Sequence, residues 1–308
     1  MTSADPERDP GLSRMECRKW FLGPSAGILF VPFAIAPLLL AVPSATAQTP
    51  SPPAGTPLLG PEAEPHHVPR IDEPIELDGN VNKAVWQEIA PLSTVVHTPD
   101  FGAIPSEPTE WRMAHDGEYL YVSCLALDSE PELIQASSYR RNDSSFNSDR
   151  CSVYLDTLND EETALGFGTT PAGIRTDLTF VNDAQGPPNF DWNSFWDVVV
   201  TRDDTGWHAE FRIPFSSLIF QEEDGSVEMG FSLLRTIARR NEMTTHPAMS
   251  PQYGFSSFGK PSRMRKLTLD GVQSSRPVYL TPYVLGGTRF DHNFSPGDNA
   301  YLRDSERT

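Results

Sequence analysis

The 308-residue chain is short of positive charge, nearly empty of long helical stretches and without a recognisable catalytic motif. Each shortage removes a class of protein. Lys plus Arg number 24 against 42 Asp plus Glu, a formal charge of −18. Nucleic-acid binding needs clustered cations that displace counterions, so no nucleic-acid partner is expected. The acidic balance suits a solvated surface, and one able to hold hard cations. Apolar runs with a 3.6-residue period are almost absent, which argues against a helical fold. No Gly-x-Ser-x-Gly, His-Glu-x-x-His, Walker or dinucleotide pattern occurs. The seven histidines are scattered, with no two at ligand spacing on a convincing strand. A glycosidase needs two carboxylates flanking the scissile bond. Carboxylates abound here, but no spacing marks out such a pair. Binding, rather than chemistry, is the expected role.

Aromatic residues make up 10% of the chain, six of them Trp, alongside 29 Pro and 21 Gly. Short strands divided by turn residues are the expected architecture. At the N-terminus, Arg18 and Lys19 precede an uncharged stretch over 20–42 that runs into Ala45-Thr46-Ala47. A charged start, an apolar middle and a small-x-small site are the parts of a secretory signal peptide. Residues 1–47 are therefore expected to be a cleaved export signal, and Met15 suits its start better than the acidic residues before it. Pro24, Pro32 and Pro37 favour cleavage over an uncleaved anchor. Residues 48–69 read as a Pro-rich linker, with His66-His67 solvated within it.

From Arg70 the pattern changes. Residues 80–90 suggest a short helix capped by Asn82, with Val85, Trp86 and Ile89 on one face. Trp86 would plug one end of a core. Strand patterns follow at 109–115, 120–127, 149–157, 164–169, 174–181, 196–202, 207–213, 229–239 and 264–269. Asp116-Gly117, Asp203-Asp204-Thr205-Gly206 and Asp224-Gly225 supply turns between them. About nine strands over two hundred residues predict an all-β, antiparallel two-sheet β-sandwich over 70–272.

Cys124 and Cys151 fall on the apolar faces of two strands, so a bridge between them and a pair of buried thiols are equally consistent with the pattern. Neither has a neighbouring cation that would make it a nucleophile. Asp149, Asp156, Asp160 and Glu161 bracket one strand and its following turn, a chemistry that can hold Ca²⁺. Aromatic residues concentrate in loops: Phe146; Phe190, Trp192, Phe195 and Trp196; Tyr253, Phe255 and Phe258. A sugar ring stacks its apolar face on such side chains while its hydroxyls take polar partners. Residues 277–290 alternate again and read as the first strand of something larger whose remainder is missing.

The ordered segments IELDGNVNKAVWQEI, HDGEYLYVSCLALDSEP, SDRCSVYLDT, TGWHAEFRIPFSSL and FGKPSRMRKLTL resemble carbohydrate-binding module family 9 over residues 70–270. RRNDSSFNSDRCSVYLDT, FGTTPAGIRTD, DWNSFWDVVV and FSLLRTIARRNE are similar to bacterial surface proteins in which this module precedes an outer-membrane β-barrel. YLTPYVLGGTRF then resembles that barrel's opening strand. The likeness implies a β-sandwich gripping an oligo- or polysaccharide between two rings, with structural Ca²⁺, commonly beside glycoside hydrolases. One ring falls on Phe146 and the other at Gln252 or Tyr253. Ser152 stands where the family has an acidic residue, and Gly168 near the place of an Arg. Non-catalytic sugar binding by Phe146 and Tyr253, with Trp192 and Trp196 as a second aromatic surface, is the expectation for this exported chain at the cell envelope. The alternatives are an interaction or gating domain for its own missing barrel, and a hydrolase or hydrolase accessory.

Overall fold

The computed structural model describes residues 60, 62–142, 147–254 and 256–272, together with Pro282, Val284 and Gly286. All lie in one compact unit, Pro50–Thr308. The expected export signal, most of the linker, Phe146, Phe255 and the expected barrel strand lie outside the described residues.

Among the described residues, twelve strands form two sheets. The smaller one runs β3 (Thr109–His115), β4 (Tyr119–Leu127), β9 (Gly206–Pro214) and β8 (Asp197–Asp203), antiparallel throughout. The larger one centres on β10 (Ser226–Ile237), whose one edge pairs β5 (Arg150–Asp156). Beyond β5 lie β6 (Ala164–Thr169) and β7 (Arg175–Phe180). The other edge of β10 pairs β12 (Arg265–Asp270) along its first half and β11 (Glu242–His246) along its second. Strand β2 (Val95–Thr98) extends β11, and β1 (His66–His67) runs parallel to β12.

The sandwich follows from period-two alternation. Cys151, Val153 and Leu155 of β5 meet Val122, Cys124 and Ala126 of β4 in one core, with Trp111, Trp207, Phe211 and Phe231. The tight hairpin expected at 203–207 joins β8 to β9. Three expectations change. Residues 66–67 are not linker, because their backbone completes the β12 edge and the His66 ring packs 5.9 Å from Phe231. The helix is a single turn, α1 (Ala84–Gln87), with no side-chain cap; the Asn82 amide instead donates to Asn80 Oδ1. Trp86 is fully buried, but on the outer face of the smaller sheet with Ile75, Ala114 and Tyr121 rather than between the sheets.

Candidate functional site

The outer face of the larger sheet holds the most binding-like surface. Register sets Thr176, Gly168, Ser152, Leu234 and Thr245 side by side across β7, β6, β5, β10 and β11. The next row outward is Leu178, Gly166, Tyr154 and Ser232. The glycines are required by their neighbours. A Cβ on Gly166 would stand 2.7 Å from Leu178 and 2.9 Å from the Tyr154 ring, and one on Gly168 would stand 2.8 Å from Ser152 Oγ. With β6 bare, Arg150 reaches over it from β5 and donates through Nη1 to Thr176 Oγ1 on β7 at 3.1 Å. A guanidinium from β5 therefore crosses beside Gly168, near the place where the family has an Arg. The Thr236 and Thr245 hydroxyls are buried on this same face without a protein partner.

Two loops frame the floor. On one side, the chain from Met249 to Arg263 folds into three 3₁₀ turns, Pro251–Tyr253, Ser257–Gly259 and Pro261–Arg263. Phe258 anchors it against Tyr154 and Phe180, at centroid distances of 5.6 and 6.2 Å. Ser232 Oγ donates to the Phe258 carbonyl, and His97 Nδ1 donates to that of Met249. Burial holds the His97 ring below its ordinary pKa, so it sits there as a neutral donor. Asp183 grips the far end, accepting from Ser262 N, Ser262 Oγ and Lys260 Nζ. Tyr253 stands at the tip, 41% exposed, with the Arg263 guanidinium 4.4 Å from its ring centre. On the other side, Asn142 clamps the chain that leads to Phe146. It accepts from Asp177 N and donates through Nδ2 to the Phe190 carbonyl. Ser137 closes the same loop by donating to the Asn147 carbonyl and, through its amide, to Ser148 Oγ.

Several expected site residues lie elsewhere. Trp196 is core, 2% exposed: its ring stacks on Phe211 at 5.8 Å and 9°, and its Nε1 donates to the buried Asp177 at 2.6 Å. An indole with a buried acceptor and two aromatic neighbours is worth more inside the sandwich than on it. Trp192 is half-buried, edge-on to Phe167 at 5.8 Å. From that cluster it is Phe195 that reaches solvent. Asp149 and Asp156 sit at opposite ends of the seven-residue β5, about 20 Å apart at the usual rise of a strand. Asp149 accepts from Ala238 N, whereas Asp156 accepts from the amides of Asp160 and Glu161. Burial raises the pKa of both. They form neither a shared metal site with Asp160 nor a glycosidase pair. Among the described residues no cluster of three or more His, Cys, Asp or Glu is placed to hold a metal. Cys124 and Cys151 are free, buried thiols in mutual hydrogen-bonding contact across the core, and burial pushes the Cys151 thiol up. Sequence reasoning missed Arg150, Thr236 and Thr245; outward parity on β5, β10 and β11 is the signal that finds them.

Residues 77–272 match the family described as carbohydrate family 9 binding domain-like. No curated protein matches the sequence. Among solved structures, a candidate carbohydrate-binding protein from Bacteroides uniformis is similar at 12% identity and a TM-score of 0.52, covering 66% of this chain and 97% of that one. A family 9 carbohydrate binding module from Caldicellulosiruptor kristjanssonii in complex with cellotriose gives 14% identity and a TM-score of 0.49, covering 71% of this chain and 100% of that one. The likeness to the Bacteroides uniformis protein shows the fold alone and leaves the ligand to the site.

Proposed function

The chain belongs to the carbohydrate family 9 binding domain-like family, and on that premise we propose that its outer sheet face binds an oligo- or polysaccharide without cleaving it. The observation that carries the reading is the composition of that face: a glycine-lowered floor crossed by the Arg150 guanidinium and edged by the exposed Tyr253 ring. A pyranose offers one apolar face and a rim of hydroxyls. An aromatic edge with a guanidinium and hydroxyls beneath matches both. Phe146, in the loop clamped by Asn142 and Ser137, is assigned as the second ring, and half-buried Trp192 supports that loop's neighbour. The export signal read at 1–47 supports a place outside the cytoplasm, at the cell envelope, where the binding would serve polysaccharide uptake or breakdown.

Calorimetry with a panel of neutral oligosaccharides tests the proposal. Saturable binding is expected, weakened in Tyr253→Ala and in Phe146→Ala by about 5- to 150-fold, equivalent to about 1–3 kcal/mol for an aromatic anchor. Absence of binding across the panel by a folded protein would overturn it.

A further inference from the structure

On the flank where the free edge of β7 meets β8 and β9, three arginines converge on one cavity of about 680 Å³. Arg141 comes from the loop before β5, Arg175 opens β7, and Arg212 projects from β9. This is an unusual concentration in a chain whose formal charge is −18. One lining carboxylate, Asp197, opposes them, 2.7 Å from Arg212 and 3.8 Å from Arg175. Asp177 lies buried beneath the cavity and is already committed to Arg141, to the Ser194 amide and to Trp196 Nε1.

The guanidiniums are held but not consumed. Among the described residues each hydrogen-bonds protein through a single terminal nitrogen: Arg141 to Asp177, Arg175 to the Trp196 carbonyl, Arg212 to Asp197. Each has five N–H donors to give. Arg212 Nε is buried without a partner. Rings beneath fix the planes: the Arg175 guanidinium lies 5.7 Å from the Trp196 centroid, and that of Arg212 lies 5.2 Å from Tyr119. Stacked, oriented forks around a concave space are built to take planar or tetrahedral oxyanions. The rest of the lining is mixed: Asn193, Ser194, Ser216 and Ser217 offer partners to hydroxyls, and Tyr119, Phe195 and Pro214 offer apolar surface to the faces of a sugar ring.

We propose that this cleft is a second binding site, distinct from the outer sheet face, for a saccharide carrying an oxyanion such as the carboxylate of a uronic acid or a sulfate ester. The saccharide part rests on the family reading above; the preference for an anion stands on the cleft alone.

The test titrates the full-length protein with an oligogalacturonide, with cellotriose and with inorganic sulfate, each at low and high salt. The oligogalacturonide is expected to bind, with an affinity that falls as salt rises. Arg212→Met is expected to weaken it at least tenfold. Arg175→Gln is the second variant, and thermal melts establish that both fold. Arg141 is left alone, because its loss would strand the buried Asp177. Oligogalacturonide binding without cellotriose binding supports this site and removes the neutral-sugar reading of the outer face. Cellotriose binding without oligogalacturonide binding, or oligogalacturonide binding indifferent to salt and to both arginine variants, overturns it. Sulfate binding as tight as the oligogalacturonide marks a free-anion site and overturns the saccharide part.

Discussion

Glu210 is where the smaller sheet is most exposed to a single change. Its side chain, 1% exposed, leaves the outer face of β9 and accepts from Gly79 N at 2.8 Å, Trp86 Nε1 at 2.7 Å and Lys83 Nζ at 2.7 Å, with Asp78 N at 3.2 Å. Replacing it with alanine strands the Trp86 and Gly79 donors in a buried site, at about 1–3 kcal/mol each. Lys83 can turn to water and contributes little. The sum is about 4 kcal/mol, within the about 3–5 kcal/mol that breaking a buried charge pair costs. For a domain of this size that is roughly a 10 °C fall in Tm. Glu210→Gln, which keeps one acceptor and turns an amide against a donor, should cost about half as much. Trp86→Phe keeps the ring and removes one donor, at about 1 kcal/mol. The Glu210→Gln, Trp86→Phe double variant should then cost less than the sum of the singles, since both act through one bond. Urea unfolding of the wild type and the four variants measures this, and binding on the outer face of the larger sheet should be untouched because Glu210 faces away from it. A loss below 1 kcal/mol in Glu210→Ala, or strict additivity in the cycle, would refute the reasoning.

His246 is buried between Phe231 and Arg265, donates through Nδ1 to the Ser93 carbonyl and is pulled down to about 4, chiefly by burial. A histidine lowered from 6.5 contributes stability above that value and loses it as pH falls toward 4, here by up to about 3 kcal/mol; Asp149 and Asp156, raised by burial, pull the other way. Urea midpoints from pH 7 to 4 should fall in the wild type and fall less in His246→Gln, and parallel slopes would refute the assignment. Asn182, Asp183 and Ala184 are three successive left-handed residues, φ 52–54°; Asn and Asp tolerate this conformation but Ala does not, so Ala184→Gly should gain up to about 1 kcal/mol, and a lower urea midpoint would contradict it. Cys124 and Cys151 already touch, so refolding with oxidised glutathione, itself reduced in the exchange, should close an inter-sheet bridge worth about 3–4 kcal/mol for the 124–151 loop; two thiols still titrating in the denatured product would exclude it.

The strands were legible where side chains alternate on a half-buried surface. β3 and β6 fall where the pattern put them, and β4, β5, β7, β8, β9 and β12 shift at their ends by a residue or two. β1, β2 and β11 were not seen. β1 and β11 are short and polar, His66-His67 and Glu242–His246, and owe their state to the backbone of β12 and β10 rather than to their own side chains, while the four-residue β2 is held by β11. Trp196 misled for a related reason. Its polar flanks read as a loop, while its acceptor, Asp177, and its stacking partner, Phe211, arrive from distant strands. Arg141, Arg175 and Arg212 lie far apart in the chain, so no local pattern announces their shared cavity.

The segments that carry the family likeness turn out to be clips of the fold. IELDGNVNKAVW and TGWHAEFRIP meet through Glu210. HDGEYLY is a turn in which Asp116 accepts from the amides of Glu118 and Tyr119 and from the Tyr121 hydroxyl. SLLRTIARRNE buries Arg235 on the carbonyls of Pro108 and Leu127 and pairs Arg239 with Asp128 at 2.7 Å. Glu210, Asp116, Arg235 and Arg239 bond within the fold, and none of the four lines the arginine cleft, although Tyr119 and Arg212 of the same segments do. SDRCSVYLDT, by contrast, sets Arg150 and Ser152 on the outer face, so family segments hold both clips and surface positions, and the surface positions can drift while the clips stay, as Ser152 and Gly168 have done relative to the family pattern. Membership fixes the sandwich, whereas in the proposed readings Arg150, Tyr253 and Phe146 would choose the ligand on one surface and three arginines on another. Exchanging Ser152 should alter affinity with little loss of fold, and exchanging Glu210 should do the reverse.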